Sequence, residues 1–109
     1  MRLSYAMKYV SDMEKAVAFY RDTLGLPLKF QSPGWSEFVT GETTLALHAA
    51  SEAHPAGTTE LGFSVEDLQR VHQDMTGKGV VFTKPPEELH GALLATFLDS
   101  EGAEVSISG

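Results

Sequence analysis

The hydrophobic and polar positions in the first half of the chain follow a helical period near the N-terminus. Ser11 and Glu14 fit a capping box, in which each side chain satisfies a free backbone donor at the start of a helix. Gly25 can end that helix in a left-handed conformation. The pattern therefore predicts a helix between Ser11 and Gly25. Its apolar stripe is Met13, Ala16, Val17, Tyr20 and Leu24.

Strands are predicted on both sides of this helix. Residues 3–10 precede it and residues 27–31 follow it, with alternating or short apolar runs typical of strands. Two further strands are predicted at 35–40 and 43–49, with Gly41-Glu42 as a tight hairpin turn between them. The predicted order is strand, helix and three strands.

The second half of the chain repeats this order. The segment "ELGFSVEDLQRVHQDMTGKGVVFTK" predicts strand, helix and strand, with Leu68, Val71 and Met75 on the apolar stripe of the helix. Two more strands are predicted at 91–98 and 103–108.

A polar segment rich in small residues, "AASEAHPAGTT", separates the two halves. We therefore expect one domain over 1–109, with module one at about 3–49, a linker at 50–58 and module two at about 59–108. Glu87 and Glu88 are expected in a proline-rich loop that faces water.

Composition narrows the classes of function. Fifteen acidic residues against eight basic ones give a net charge of −7, which argues against a nucleic-acid surface because phosphate binding needs clustered Lys and Arg. The chain has no cysteine, so it has neither disulfides nor thiolate metal ligands. No apolar run has the length of a signal peptide or of a membrane span, and we expect a cytoplasmic protein.

Two stretches carry a resemblance to a known family. The opening "MRLSYAMKYVSDMEKAVAFYRDTLGLPLKF" and the close "FLDSEGAEVSIS" resemble the vicinal oxygen chelate superfamily, which includes glyoxalase I, bleomycin-resistance proteins and extradiol dioxygenases. Ser100 and Ala103 stand where the family's closing motif usually has proline and asparagine. The resemblance implies an α+β fold of two tandem βαβββ modules that form a curved mixed sheet around a cleft.

Strand parity then predicts which side chains face that cleft. Successive side chains of a strand point to opposite faces, so Leu61, Phe63 and Val65 are expected under the helix while Glu60 faces the cleft. If Gly41-Glu42 forms a two-residue turn, Phe38 pairs with Leu45 on the helix side. The cleft is predicted to be aromatic and acidic, with Tyr9 on its side of the first strand. The predicted ligand-binding residues are Tyr5, Met7, Trp35, Glu37, His48, Glu60, Phe97 and Glu104.

The resemblance also implies four positions at which metal-dependent relatives hold a divalent ion. In this sequence they fall on Tyr5, Ala46, Glu60 and Ser106. Only Glu60 is a competent ligand, because alanine has no donor atom and a phenol would have to lose a proton well below its usual pKa of about 10. We therefore expect no metal and no other cofactor.

A shifted metal site is the alternative. His48 lies two residues after Ala46 and Glu104 lies two residues before Ser106, and with Glu60 they could hold Ni, Zn, Mn or Fe. The other histidines, including His54 in the linker, are expected to have structural or solvated roles.

These features predict a small-molecule-binding protein of the glyoxalase/bleomycin-resistance type, which sequesters a cationic or aromatic ligand without the usual metal. The alternative is a metal-dependent lyase, isomerase or dioxygenase, and a metal-free enzyme with Glu60 as the base also stays open. The family further implies a homodimer, with the modules paired within one chain or exchanged between two.

Overall fold

A computed structural model describes residues 1–109, which form two compact units. The first unit is Ser4–Glu60, and the second is Met1–Leu3 with Leu61–Gly109. No helix is both long enough and apolar enough to cross a membrane. The α+β fold is confirmed, since strand, helix and three strands occur twice along the chain. The elements are β1 (Arg2–Val10), α1 (Met13–Ala18), β2 (Leu28–Gln31), β3 (Trp35–Phe38), β4 (Thr44–Ala49), β5 (Thr59–Ser64), α2 (Leu68–Gly77), β6 (Phe82–Leu89), β7 (Ala92–Leu98) and β8 (Glu104–Ser108).

The sheet of the first unit has the strand order β2-β3-β4-β1. β1 runs parallel to β4, and the other neighbours are antiparallel. Phe38 lies opposite Leu45, as predicted. The strands end at Phe38 and begin again at Thr44, so the connection is longer than the predicted two-residue turn. Gly41 in the connecting turn has φ +110°, a conformation that side chains with a Cβ rarely adopt.

Helix α1 covers one face of this sheet. Val17, Phe38 and Leu47 form a core in which each residue is at most 1% exposed. The helix is capped by Asp12, whose carboxylate accepts a hydrogen bond from the Lys15 backbone N–H at 3.1 Å. The predicted capping box at Ser11 is therefore wrong, because the next residue supplies the cap.

The end of the first helix differs from the predicted stripe. A π-helical turn, Phe19–Thr23, follows α1 and adds a residue to the turn, which rotates the positions after it. Leu24 is consequently 53% exposed, while Leu26 packs against the core instead. Gly25, with φ +73°, ends the helical segment as predicted.

The sheet of the second unit has the strand order β5-β8-β7-β6, with β5 parallel to β8. Its core consists of Leu68, Ala95 and Ile107. Val71 and Met75 pack against that core, so the predicted stripe of the second helix is confirmed.

Strand β5 follows the predicted parity only in part. Phe63 and Val65 pack against the core of the second unit as expected. Leu61, however, is 42% exposed and does not pack against that core. The prediction that Leu61 packs under the helix was wrong.

The predicted loop around Glu87 and Glu88 was also wrong. Both residues lie in β6, opposite Leu94 and Leu93 of β7. β6 is an edge strand, where its prolines are tolerated because no further strand needs their missing N–H groups. The side chains of Glu87 and Glu88 are nevertheless exposed, as expected.

Candidate functional site

One face of the first-unit sheet carries most of the predicted site. The pairing register aligns Trp35 with His48 and His48 with Tyr9, so these three side chains share a face. This face is opposite to the one that packs on α1, as strand parity predicted. Its other members in β1, β3 and β4 are Tyr5, Met7, Glu37, Thr44 and Ala46.

Five rings form a continuous row in this unit, which we call the aromatic band: Tyr5, Trp35, His48, Tyr9 and His54. The successive centroid distances, from Tyr5 to His54, are 6.0, 5.8, 5.1 and 4.6 Å. The last pair is stacked, with an angle of 11° between the ring planes. The band thus brings together three predicted residues of the first unit and adds two rings that the prediction had not included as ligand-binding.

The carboxylate of Glu37 is hydrogen-bonded to Trp35 of the band. The Trp35 indole N–H donates to Oε2 of Glu37 at 2.7 Å, and the Glu37 side chain is 17% exposed. Nζ of Lys29 lies 3.9 Å from the other oxygen, on a side chain that is 63% exposed. The indole therefore fixes the carboxylate, while its cationic partner is loosely held and solvated.

A second carboxylate lies at the Tyr9 end of the band. The Tyr9 hydroxyl donates to Oε1 of Glu60 at 3.3 Å, and Glu60 is 8% exposed. Nε2 of His54 lies 3.7 Å from the same oxygen. Each carboxylate thus has a hydrogen bond from a band residue and a basic side chain within 4 Å.

The linker positions His54. The Ser51 N–H donates to the His54 carbonyl at 2.9 Å, and the His54 N–H donates to Oγ of Ser51 at 3.2 Å. The Gly57 N–H donates to the Tyr9 carbonyl at 2.8 Å, which fastens the end of the linker to β1. Nothing in the local sequence indicates that this linker residue stacks on a strand residue, and the sequence alone predicts only a structural or solvated role for His54.

The Tyr5 phenol is held in its neutral form. Burial, and then the negative charge of Glu37, raise the pKa of Tyr5 above the ordinary value of 10.0. A neutral phenol is a poor ligand for a divalent ion, and the fully buried Ala46 has no donor atom. Tyr5 and Ala46, which stand at two of the four positions where metal-dependent relatives hold an ion, therefore do not fit a metal. No chemical step proposed below involves one.

Two predicted site residues lie in the second unit. Glu104 begins β8 opposite Leu98, on the sheet face away from α2. Phe97 packs instead with the core under α2 and lies 5.6 Å from the ring of Phe82. Phe97 has the same strand parity as the core residue Ala95, so the expectation that it faces a ligand on the other side of the sheet was wrong.

Comparisons with known proteins place the chain in a family. The model of the Glyoxalase/Bleomycin resistance protein/Dioxygenase superfamily matches residues 2–107. The uncharacterized protein YraH of Bacillus subtilis (strain 168) is 28% identical, and the match covers 81% of this chain and 80% of that protein.

Solved structures agree in fold. A structure described as an NAD-dependent benzaldehyde dehydrogenase from Legionella pneumophila has a TM-score of 0.78 at 23% identity and covers 95% of this chain and 96% of its own. A methylmalonyl-CoA epimerase of Streptomyces coelicolor has a TM-score of 0.77 at 16% identity, with 99% and 93% covered. At these identities the likeness shows the fold alone. The chain belongs to the glyoxalase/bleomycin resistance protein/dioxygenase superfamily.

Proposed function

We propose that this protein binds and sequesters a planar cationic small molecule on the aromatic band without using a metal. The observation that carries the proposal is the continuous row of five rings with the carboxylates of Glu37 and Glu60 hydrogen-bonded to two of them. The half-buried rings of Tyr5 and Trp35, together with the Glu37 carboxylate, can present aromatic surface and negative charge to the same ligand.

The physical basis is a combination of stacking and charge. A cation over the face of an aromatic ring gains about 0.5–2 kcal/mol, and tryptophan is the best of the natural rings. Glu37, at 17% exposure, adds a partly desolvated negative charge next to the indole of Trp35. The net charge of −7 favours the approach of cations from a distance.

Stoichiometric trapping is also the mode that the resemblance to bleomycin-resistance proteins implies. It requires neither the metal nor a catalytic base, which agrees with the poor fit of Tyr5 and Ala46 to a metal site.

The proposal is tested by comparing a planar cation with its neutral counterpart. Proflavine and acridine have the same ring system, and at mildly alkaline pH only proflavine is charged. We expect proflavine to bind with a one-to-one stoichiometry in equilibrium dialysis and acridine to bind at least about tenfold more weakly. Because Trp35 is the single tryptophan, its fluorescence reports independently whether the ligand lies on the band.

A matched pair of variants locates the charge. Glu37→Gln keeps an oxygen that can accept from the Trp35 indole but removes the negative charge, and we expect it to weaken proflavine binding by about tenfold. Glu42→Gln, in the exposed hairpin turn, removes the same charge away from the band and is the control. Equal affinity for proflavine and acridine, or equal losses in both variants, would overturn the proposal.

A further inference from the structure

The chain already places a planar basic ring at the Tyr9 end of the band. The imidazole of His54 stacks on Tyr9 at 4.6 Å and 11°, and its Nε2 lies 3.7 Å from the Glu60 carboxylate. A planar cationic ligand would adopt this same arrangement, with its ring on an aromatic face and its charged nitrogen beside a carboxylate.

We infer that Tyr9 and Glu60 form a second subsite for a planar cation, and that His54 is its built-in occupant, which the ligand displaces. The ligand class is then a planar molecule with a cationic group at each end. One end meets Glu37 and the other meets Glu60. This inference rests on the proposed function, which it makes more specific.

The strand order sets the distance between the two cationic groups. Glu37 lies on β3, which neighbours β4, and β4 neighbours β1. Backbone hydrogen bonds join Tyr9 of β1 to Gly57 and Thr58, immediately before the strand that holds Glu60. Three strand spacings of about 4.8 Å separate the two carboxylate-bearing strands by roughly 14 Å. A rigid body of several linked rings with an amidine at each end spans such a distance.

The subsite can be vacated without unfolding the linker. The backbone of the linker is fastened by the Gly57–Tyr9 hydrogen bond and by the turn at Ser51, and neither bond involves the imidazole. The His54 side chain is 31% exposed, so rotation about its own side-chain bonds can move the ring into solvent. With an occupant of this kind, the apparent association constant of a ligand equals the intrinsic constant multiplied by the fraction of molecules in which the subsite is vacant.

The test uses DAPI, a planar bis-amidine, and its mono-amidine analogue as probes in calorimetric titrations. We expect His54→Ala to bind DAPI about five- to tenfold more tightly than the wild type, because the competing ring is gone. The mono-amidine, which the Glu37 end suffices to bind, should change by less than about twofold. His90→Asn removes a histidine from an exposed turn and should change neither affinity.

A second substitution tests whether the tighter binding of DAPI by His54→Ala arises at the subsite of Tyr9 and Glu60. Glu60→Gln in the His54→Ala background should abolish the increase for DAPI, and retained binding of the mono-amidine shows that each variant is folded. Unchanged or weaker DAPI binding by His54→Ala would overturn the second subsite while leaving the proposed function intact. Failure of the wild type to bind either probe would instead overturn the proposed function.

Discussion

At the scale of single residues, Tyr5 and Glu37 show how the site controls charge. Burial raises the pKa of the Tyr5 phenol first, and the Glu37 carboxylate raises it further, so the phenol stays neutral throughout the physiological range. The neutral ring can contribute its face to a ligand without adding an ionisable group. The same coupling makes the pKa of Tyr5 a sensor of the charge at Glu37.

Glu37→Gln should therefore lower the pKa of Tyr5, because the second cause of its rise is removed. The measurement is the ultraviolet absorbance of tyrosinate during an alkaline titration, with Tyr5→Phe subtracted to isolate this residue. An unchanged Tyr5 titration in Glu37→Gln would contradict the coupling.

The raised pKa also has a consequence for stability. In the folded state Tyr5 keeps its proton above the ordinary pKa of 10.0, while the unfolded chain releases it. The contribution of Tyr5 to the free energy of unfolding is thus complete below that pH and falls as the pH rises through the folded-state pKa. Urea unfolding at increasing alkaline pH should show a smaller loss of stability for Tyr5→Phe than for the wild type.

At the scale of elements, the π-helical turn after α1 decides which leucine belongs to the core. Leu47 is fully buried, whereas Leu24 is 53% exposed. We expect Leu47→Ala to lower the free energy of unfolding by about 2–5 kcal/mol, since it leaves a cavity. Leu24→Ala should change it by about 0.5 kcal/mol or less. Urea unfolding measures both, and comparable losses would show that the helical register after α1 is wrong.

The start of α1 gives a second matched comparison. Asp12→Ala removes the side chain that accepts from the Lys15 N–H and should cost about 1 kcal/mol in the free energy of unfolding. Ser11→Ala should cost much less, because the structure assigns the cap to Asp12. A larger loss in the free energy of unfolding for Ser11→Ala than for Asp12→Ala would instead support the predicted capping box.

Much of this architecture could be predicted from the sequence because successive side chains of a strand point to alternate faces of the sheet. Once the hairpin turn was placed at Gly41-Glu42, the partner of Phe38 and the face of Trp35 followed. Parity did not place Phe97, since "ALLATFL" is apolar at nearly all of its positions and does not distinguish its faces. The π-helical turn and the stacking of His54 on Tyr9 depend on packing between distant segments, which leaves no local pattern.

At the scale of the whole molecule, each unit's sheet has an outer strand, β2 in the first unit and β6 in the second, and these strands differ in how they protect their edges. β6 carries Pro85, Pro86, Glu87 and Glu88, which discourage pairing with another chain. β2 has no proline within it and exposes 52% of Phe30. The homodimer that the family implies is therefore expected to form at the β2 edge.

Phe30→Lys should accordingly shift the protein towards the monomer, as measured by light scattering coupled to size-exclusion chromatography. Leu89→Lys is the matched control, because Leu89 in β6 is also 52% exposed. A wild-type protein that is monomeric at every concentration would contradict the expected dimer. If Leu89→Lys but not Phe30→Lys yields the monomer, the dimer interface lies at the β6 edge instead.

Binding that needs no metal is the central claim, and one calorimetric experiment tests it most directly. Proflavine is titrated into protein that has been treated with a chelator and dialysed, and then into the same protein after addition of Ni, Zn, Mn or Fe. We predict one site per chain with the same affinity in all samples. Binding that appears only after a metal is added would contradict the account and favour a metal-dependent enzyme.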